Sequence, residues 1–140
     1  MSGLEVIGAI ASATQLAEQG IKIISSLARI CEKLRGAQED IAEKICQVDH
    51  LVRLTEAVKH NESLQTEEIA AVLRPCVKKV TRLEDLLKTV EVGADDGRLQ
   101  CWTKKITWIR KGKTVLKIFQ EIEYYKTSLL LLIESLHAYV

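Results

Sequence analysis

Cys46 and His50 stand four residues apart, a spacing that sets two metal ligands on one face of a helix. A zinc site needs further ligands at a recognisable spacing. Cys31, Cys76 and Cys101 form no CxxC pair, and His60 and His137 are isolated. The pair therefore reads as a buried thiol beside a surface or half-buried imidazole. Val6-Ile-Gly-Ala-Ile10 has the look of a strand entering a glycine turn. A dinucleotide turn needs a second glycine at position 10, where Ile10 stands, and no βαβ alternation follows. Glu67-Glu68 and Asp95-Asp96 suit the first turn of a helix and a loop better than an acid–base pair. No catalytic, cofactor-binding or metal-binding set is expected, and the chain does not read as an enzyme.

Two stretches have stronger chemistry. Arg98, Lys104, Lys105, Arg110, Lys111, Lys113 and Lys117 lie in a run without one acid, with Trp102 and Trp108 interleaved. Such a run can hold phosphates of nucleic acid or of anionic lipid headgroups, and tryptophan suits a membrane interface. No nucleic-acid-binding motif accompanies it, so anionic lipid is the expected functional partner. Lys104, Lys105, Arg110, Lys111, Lys113 and Trp108 are the expected lipid contacts, and the competing reading is a solvated loop whose two tryptophans close one end of the core.

The other stretch is Leu4 to Ala17, whose only charge is Glu5. Gly8 and Ser12 repeat at four residues, as do Ala9, Ala13 and Ala17, which lets helix backbones approach closely. Leu4, Val6, Ile7 and Ile10 supply apolar bulk. Such a segment is either a central helix of a bundle or a helix that leaves the bundle for lipid or for copies of itself.

These stretches need helices to position them. Only one proline, seven glycines and an aromatic fraction of 4%, among many Leu, Ile, Lys and Glu, favour an all-helical chain. A length of 140 residues suits one domain, and a net charge of +1 implies no bulk attraction to a polyanion. The cysteines lie among periodic apolar residues, as buried free thiols of a reducing compartment would. The N-terminus lacks the basic region of a signal peptide, and no uncharged apolar run is long enough to span a bilayer.

Ser2 and Glu5 suit a capping box for the first helix, which Gly20 bends or ends. Leu16, Ile23, Leu27, Ile30 and Leu34 then share a face, up to a stop at Arg35-Gly36. A helix from about Gln38 to His60 carries Ile41, Ile45, Val48, Val52, Thr55 and Val58, and Asn61 to Ser63 reads as a turn. Thr66 caps a helix with the strictest period, Ile69, Leu73, Cys76, Val80, Leu83, Leu87 and Val90, with a kink expected before Pro75. Val92 to Gly97 reads as a loop, residues 98 to 111 show no clear element, and a last helix is expected from Gly112. The expected fold is an all-α antiparallel bundle of four or five helices.

The opening Ser2-Gly-Leu-Glu-Val-Ile-Gly-Ala-Ile-Ala-Ser, then Leu16-Ala17, Cys76 in its regular helix, Ile106-Thr-Trp108 and the terminal helix through Leu129-Leu-Leu-Leu resemble a known family. They are similar to the N-terminal domains of fungal STAND proteins, NLR-like receptors with NACHT or NB-ARC modules, within the SesA and HeLo-like superfamily. The resemblance implies a domain of a longer receptor, spanning residues 1–140, that acts in programmed cell death. It implies self-oligomerisation on activation, movement from cytoplasm to plasma membrane, and Leu4 to Ala17 as the membrane-active element. A non-lytic adaptor that recruits a partner through homotypic or heterotypic contacts is the alternative it leaves open.

Overall fold

The computed structural model describes residues 3–33, 38–91 and 97–138. These form four helices: α1 (Gly3–Lys33), α2 (Gln38–His60), α3 (Glu67–Lys88) and α4 (Arg98–Ala138), with one 3-10 turn at Glu62–Leu64 and no strand among the described residues. The all-α antiparallel bundle expected from periodicity is the fold observed, with four helices rather than five.

Local chemistry sets the joints. Thr66 accepts a hydrogen bond from the Ile69 amide at 3.3 Å, and Glu67 and Glu68 follow in the first turn of α3. The buried Gln65 amide donates to the carbonyls of Val58 and Lys59 at 3.1 and 3.2 Å, satisfying acceptors that the end of α2 leaves open. Asn61 accepts from the Ser63 amide at 3.1 Å and closes the turn between them.

Ion pairs and hydrogen bonds fix the directions. Gln19 donates to Thr81 at 2.8 Å and Arg29 pairs with Glu91, so α1 and α3 run parallel. Lys79 meets Glu121 at 2.6 Å and Lys111 meets Thr89 at 2.8 Å, so α4 runs antiparallel to α3. Lys44 lies over the Phe119 ring at 5.5 Å and Lys126 donates to the Gln47 carbonyl at 3.2 Å, which lays α4 along α2 in the same direction. Helix α1 packs on both α2 and α3, while α4 packs mainly on α3.

Two expectations change. Gly20 does not end the first helix, because α1 continues to Lys33 and Gly20 is buried within it. Its face runs Ala9, Ala13, Leu16, Gly20, Ile23, Leu27 and Ile30 without interruption, in steps of four and three. A Cβ at Gly20 would lie 2.4 Å from Val52 Cγ2, so the glycine is where α2 comes closest. Residues 98 to 111 are not irregular, and the last helix starts at Arg98 rather than near Gly112. Pro75 lies inside α3, which runs through it from Glu67 to Lys88 without a clean break, as expected.

Every position of the strict period in α3 is buried. Along α2 and α4, Ile45, Val52, Tyr125, Leu132 and Leu136 are half-buried against the core. Two lysines are buried as well. Lys44 pairs with Asp40 at 2.6 Å, and Lys126 with Glu123 at 2.7 Å. Each sends its ammonium to a carboxylate at the rim while its methylenes cover the core. The expected cap at Ser2, the stop at Arg35-Gly36 and the acids Asp95-Asp96 lie outside the described residues.

Candidate functional site

Helix α1 divides at its third turn. Ile7 is 64% exposed and Ile10 37%, whereas Ala9, Ala13, Leu16 and Ala17 are buried. The side chains of Leu4 and Val6 lie outside those described. Of the four small residues expected to pack closely, Ala9 and Ala13 face the core and Gly8 and Ser12 are half-buried. A Cβ at Gly8 would meet only the Arg74 guanidinium, at an ordinary 3.6 Å. That guanidinium is held by Glu67 through two hydrogen bonds of 2.9 and 3.1 Å, and they hold the Glu67 carboxyl below the usual carboxylate range. The close approach that small residues permit in α1 is thus made at Ala9, Ala13 and Gly20.

The basic stretch lies on the first half of α4, where it splits between two faces. Lys104 donates to the Glu91 carbonyl and Lys111 to the Thr89 hydroxyl, tying the start of α4 to the end of α3. Trp108 is half-buried and packs against the core, as does Cys101. Arg110 and Lys113 are exposed and Lys105 is half-buried. The exposed aromatic is Trp102 rather than Trp108, and Leu99, Ile109 and Leu116 are exposed with it. Their steps of three and seven residues are the helical spacing that marks this face in the sequence.

Cys46 is exposed rather than buried, and His50 is exposed beside it. Both line a shallow groove with Ile24, Ile45, Asp49 and Arg53, in which Asp49 pairs with Arg53 at 3.1 Å. A ligand set would have to recruit Asp49 away from that arginine. Among the described residues no group of three or more His, Cys, Asp or Glu is placed to hold a metal ion. No helix, among the described residues, is long and apolar enough to cross a membrane.

Cys76 sits in the core, where burial pushes its thiol up from an ordinary value near 9 to about 12, against the opposing pull of Lys126. The unfolded chain loses this proton first as pH rises. Stability should therefore fall between about pH 9 and 12 through this group, having been fully present below pH 9. Chemical denaturation across that range should show a steeper loss in the parent than in Cys76→Ala. In native thiol labelling, Cys46 should react first and Cys76 only at the rate of unfolding.

The model of the family described as SesA, "N-terminal domain on NACHT_NTPase and P-loop NTPases", matches residues 10–129. That span begins at Ile10 and reaches Leu129, so it takes in the core portions of all four helices. No curated protein and no solved structure matches significantly. With the family model covering most of its length, the chain belongs to the SesA family, the N-terminal domains of NACHT and other P-loop NTPases.

Proposed function

We propose that this domain is the signalling end of an NLR-like receptor, acting without catalysis. A NACHT or related NTPase module gathers copies of it, and the clustered first turns of α1 engage the plasma membrane in programmed cell death. The observation that carries the reading is the division of α1. Ile7 and Ile10 are exposed at the N-terminal end of a helix whose opposite face, Ala9, Ala13, Leu16, Ile23, Leu27 and Ile30, is core. Burying both in lipid supplies roughly 1.5–3 kcal/mol each, which is marginal for one copy and sufficient for several held together. Anionic lipid would meet the cations of α4.

The same division limits how far α1 can leave. Withdrawing Leu16, Ile23, Leu27 and Ile30, all buried, would forfeit roughly 6–12 kcal/mol, comparable with the whole stability of a domain of this size. Insertion by a folded domain is therefore confined to about the first two turns. This central place of α1 also favours a second reading, a bundle that stays folded and recruits a partner.

Ile7→Gln separates the two. Because Ile7 is exposed, the change should leave helicity and melting within about 0.5 kcal/mol of the parent under either reading. On the membrane reading, an artificially multimerised domain releases dye from anionic liposomes, and Ile7→Gln abolishes the release. A folded multimer that releases no dye across several lipid compositions would leave only the adaptor.

A further inference from the structure

The first half of α4 carries a face that the bundle does not use. Leu99 is 78% exposed, Trp102 60% and Ile109 68%, and Leu116 is exposed in line with them. At 100° per residue these four fall within an arc of about 100° on the helix, turned away from the buried Val115, Ile118, Phe119 and Ile122. Lys105, Arg110, Lys113 and Lys117 flank or enter that arc, and no acidic side chain occurs between Arg98 and Gln120. This part of α4 also runs on past the end of α3, since Lys111 is already level with Thr89. Leu99, Trp102 and Ile109 lie in that overhang, while Leu116 lies further along, in a groove that it lines with Asp40, Glu43 and Lys44 of α2.

We infer that this outer face of α4 is a docking surface for an anionic lipid bilayer, used by the folded domain before any rearrangement of α1. The inference rests on the membrane reading above only for its target, and it assigns binding to α4 and disruption to α1. Charge and apolarity together select the occupant. A second copy offering the same stretch would set cation against cation. A nucleic-acid backbone would satisfy the lysines and leave Leu99, Ile109 and Leu116 in water. A bilayer accepts both, with Trp102 and the aliphatic side chains at the acyl boundary and the cations at the headgroups.

The test is cosedimentation of the 140-residue chain with phosphatidylcholine vesicles, with and without phosphatidylserine, alongside dye release from the multimerised form. The parent should bind only the anionic vesicles, less tightly as salt rises. Trp102→Ser with Ile109→Ser, and separately Lys105→Glu with Arg110→Glu, should each weaken binding by about tenfold or more with unchanged melting. Arg53→Ser, exposed on α2 away from this face, should bind as the parent does. Undiminished binding by both α4 variants, or no binding by the folded parent, overturns the inference. So does loss of self-association rather than of vesicle binding, which would assign the face to a second copy. Loss of binding in the α4 variants, with dye release untouched by Ile7→Gln, would keep α4 as the docking face and remove α1 as the disruptive element.

Discussion

Gly20→Val should destabilise the bundle by about 2–3 kcal/mol, while Gly8→Ala, on the same helix, should stabilise it by up to about 1 kcal/mol. Both glycines lie inside α1, and both forgo the helix propensity of alanine. They differ in what a side chain would meet. At Gly20 even the first carbon would stand 2.4 Å from Val52 Cγ2, with Val48 Cγ1 at 3.6 Å behind it. Valine on a helix is stiff at χ1, so Val52 cannot simply turn aside, and the α1–α2 interface must open. At Gly8 the nearest atom is the tip of Arg74, a long side chain that can move. Urea denaturation of the two variants checks the opposite signs. Val52→Ala in the Gly20→Val background should recover part of the loss, because it removes the colliding methyls. Equal effects at the two positions would mean that α1 and α2 do not meet at Gly20.

Pro75→Ala should raise stability by about 1–2 kcal/mol. Pro75 is the ninth residue of α3 and has no amide to donate to the Ala71 carbonyl. The helix nevertheless continues, with Leu73 and Cys76 buried on either side of the proline. Packing of that apolar face must therefore outweigh a local penalty of about 3 kcal/mol against alanine. Alanine removes the ring and restores the donor; the gain is reduced by the half-buried contacts the ring makes. Thermal unfolding should move upward. A drop would show that the ring's packing is worth more than the hydrogen bond it displaces.

Much of α2 and α3 was readable directly from the chain. The limits expected for α2 are those observed, and all seven periodic positions, from Ile69 in α3 to Val90 just past its end, are buried. The family was expected from the resemblance of the opening stretch and of landmarks such as Cys76 and Ile106-Thr-Trp108, and its model matches residues 10–129. Periodicity succeeds there because one apolar face alternates with one charged face, and any partner must be met on the apolar side. For the candidate membrane elements it was less informative. Exposed Ile7 and Ile10 and buried Ala9 and Ala13 lie within about two turns of one helix, and only the positions of α2 and α3 decide which side is covered.

By itself the sequence determined an all-helical bundle, the faces of its regular helices, and a cationic stretch without acids. Tertiary structure decided the rest, for reasons that lie in contacts rather than in propensities. Glycine lowers helix propensity at position 20, yet the helix persists because that site is where α2 makes its closest approach. Residues 98 to 111 carry apolar side chains on both faces, Cys101 and Trp108 toward the core and Leu99, Trp102 and Ile109 outward. No single apolar stripe marks them as a helix. The packing of the helices likewise buries Lys44 and Lys126, each with a carboxylate three or four residues back on its own helix to receive the ammonium, and leaves Cys46 on the exposed side of α2.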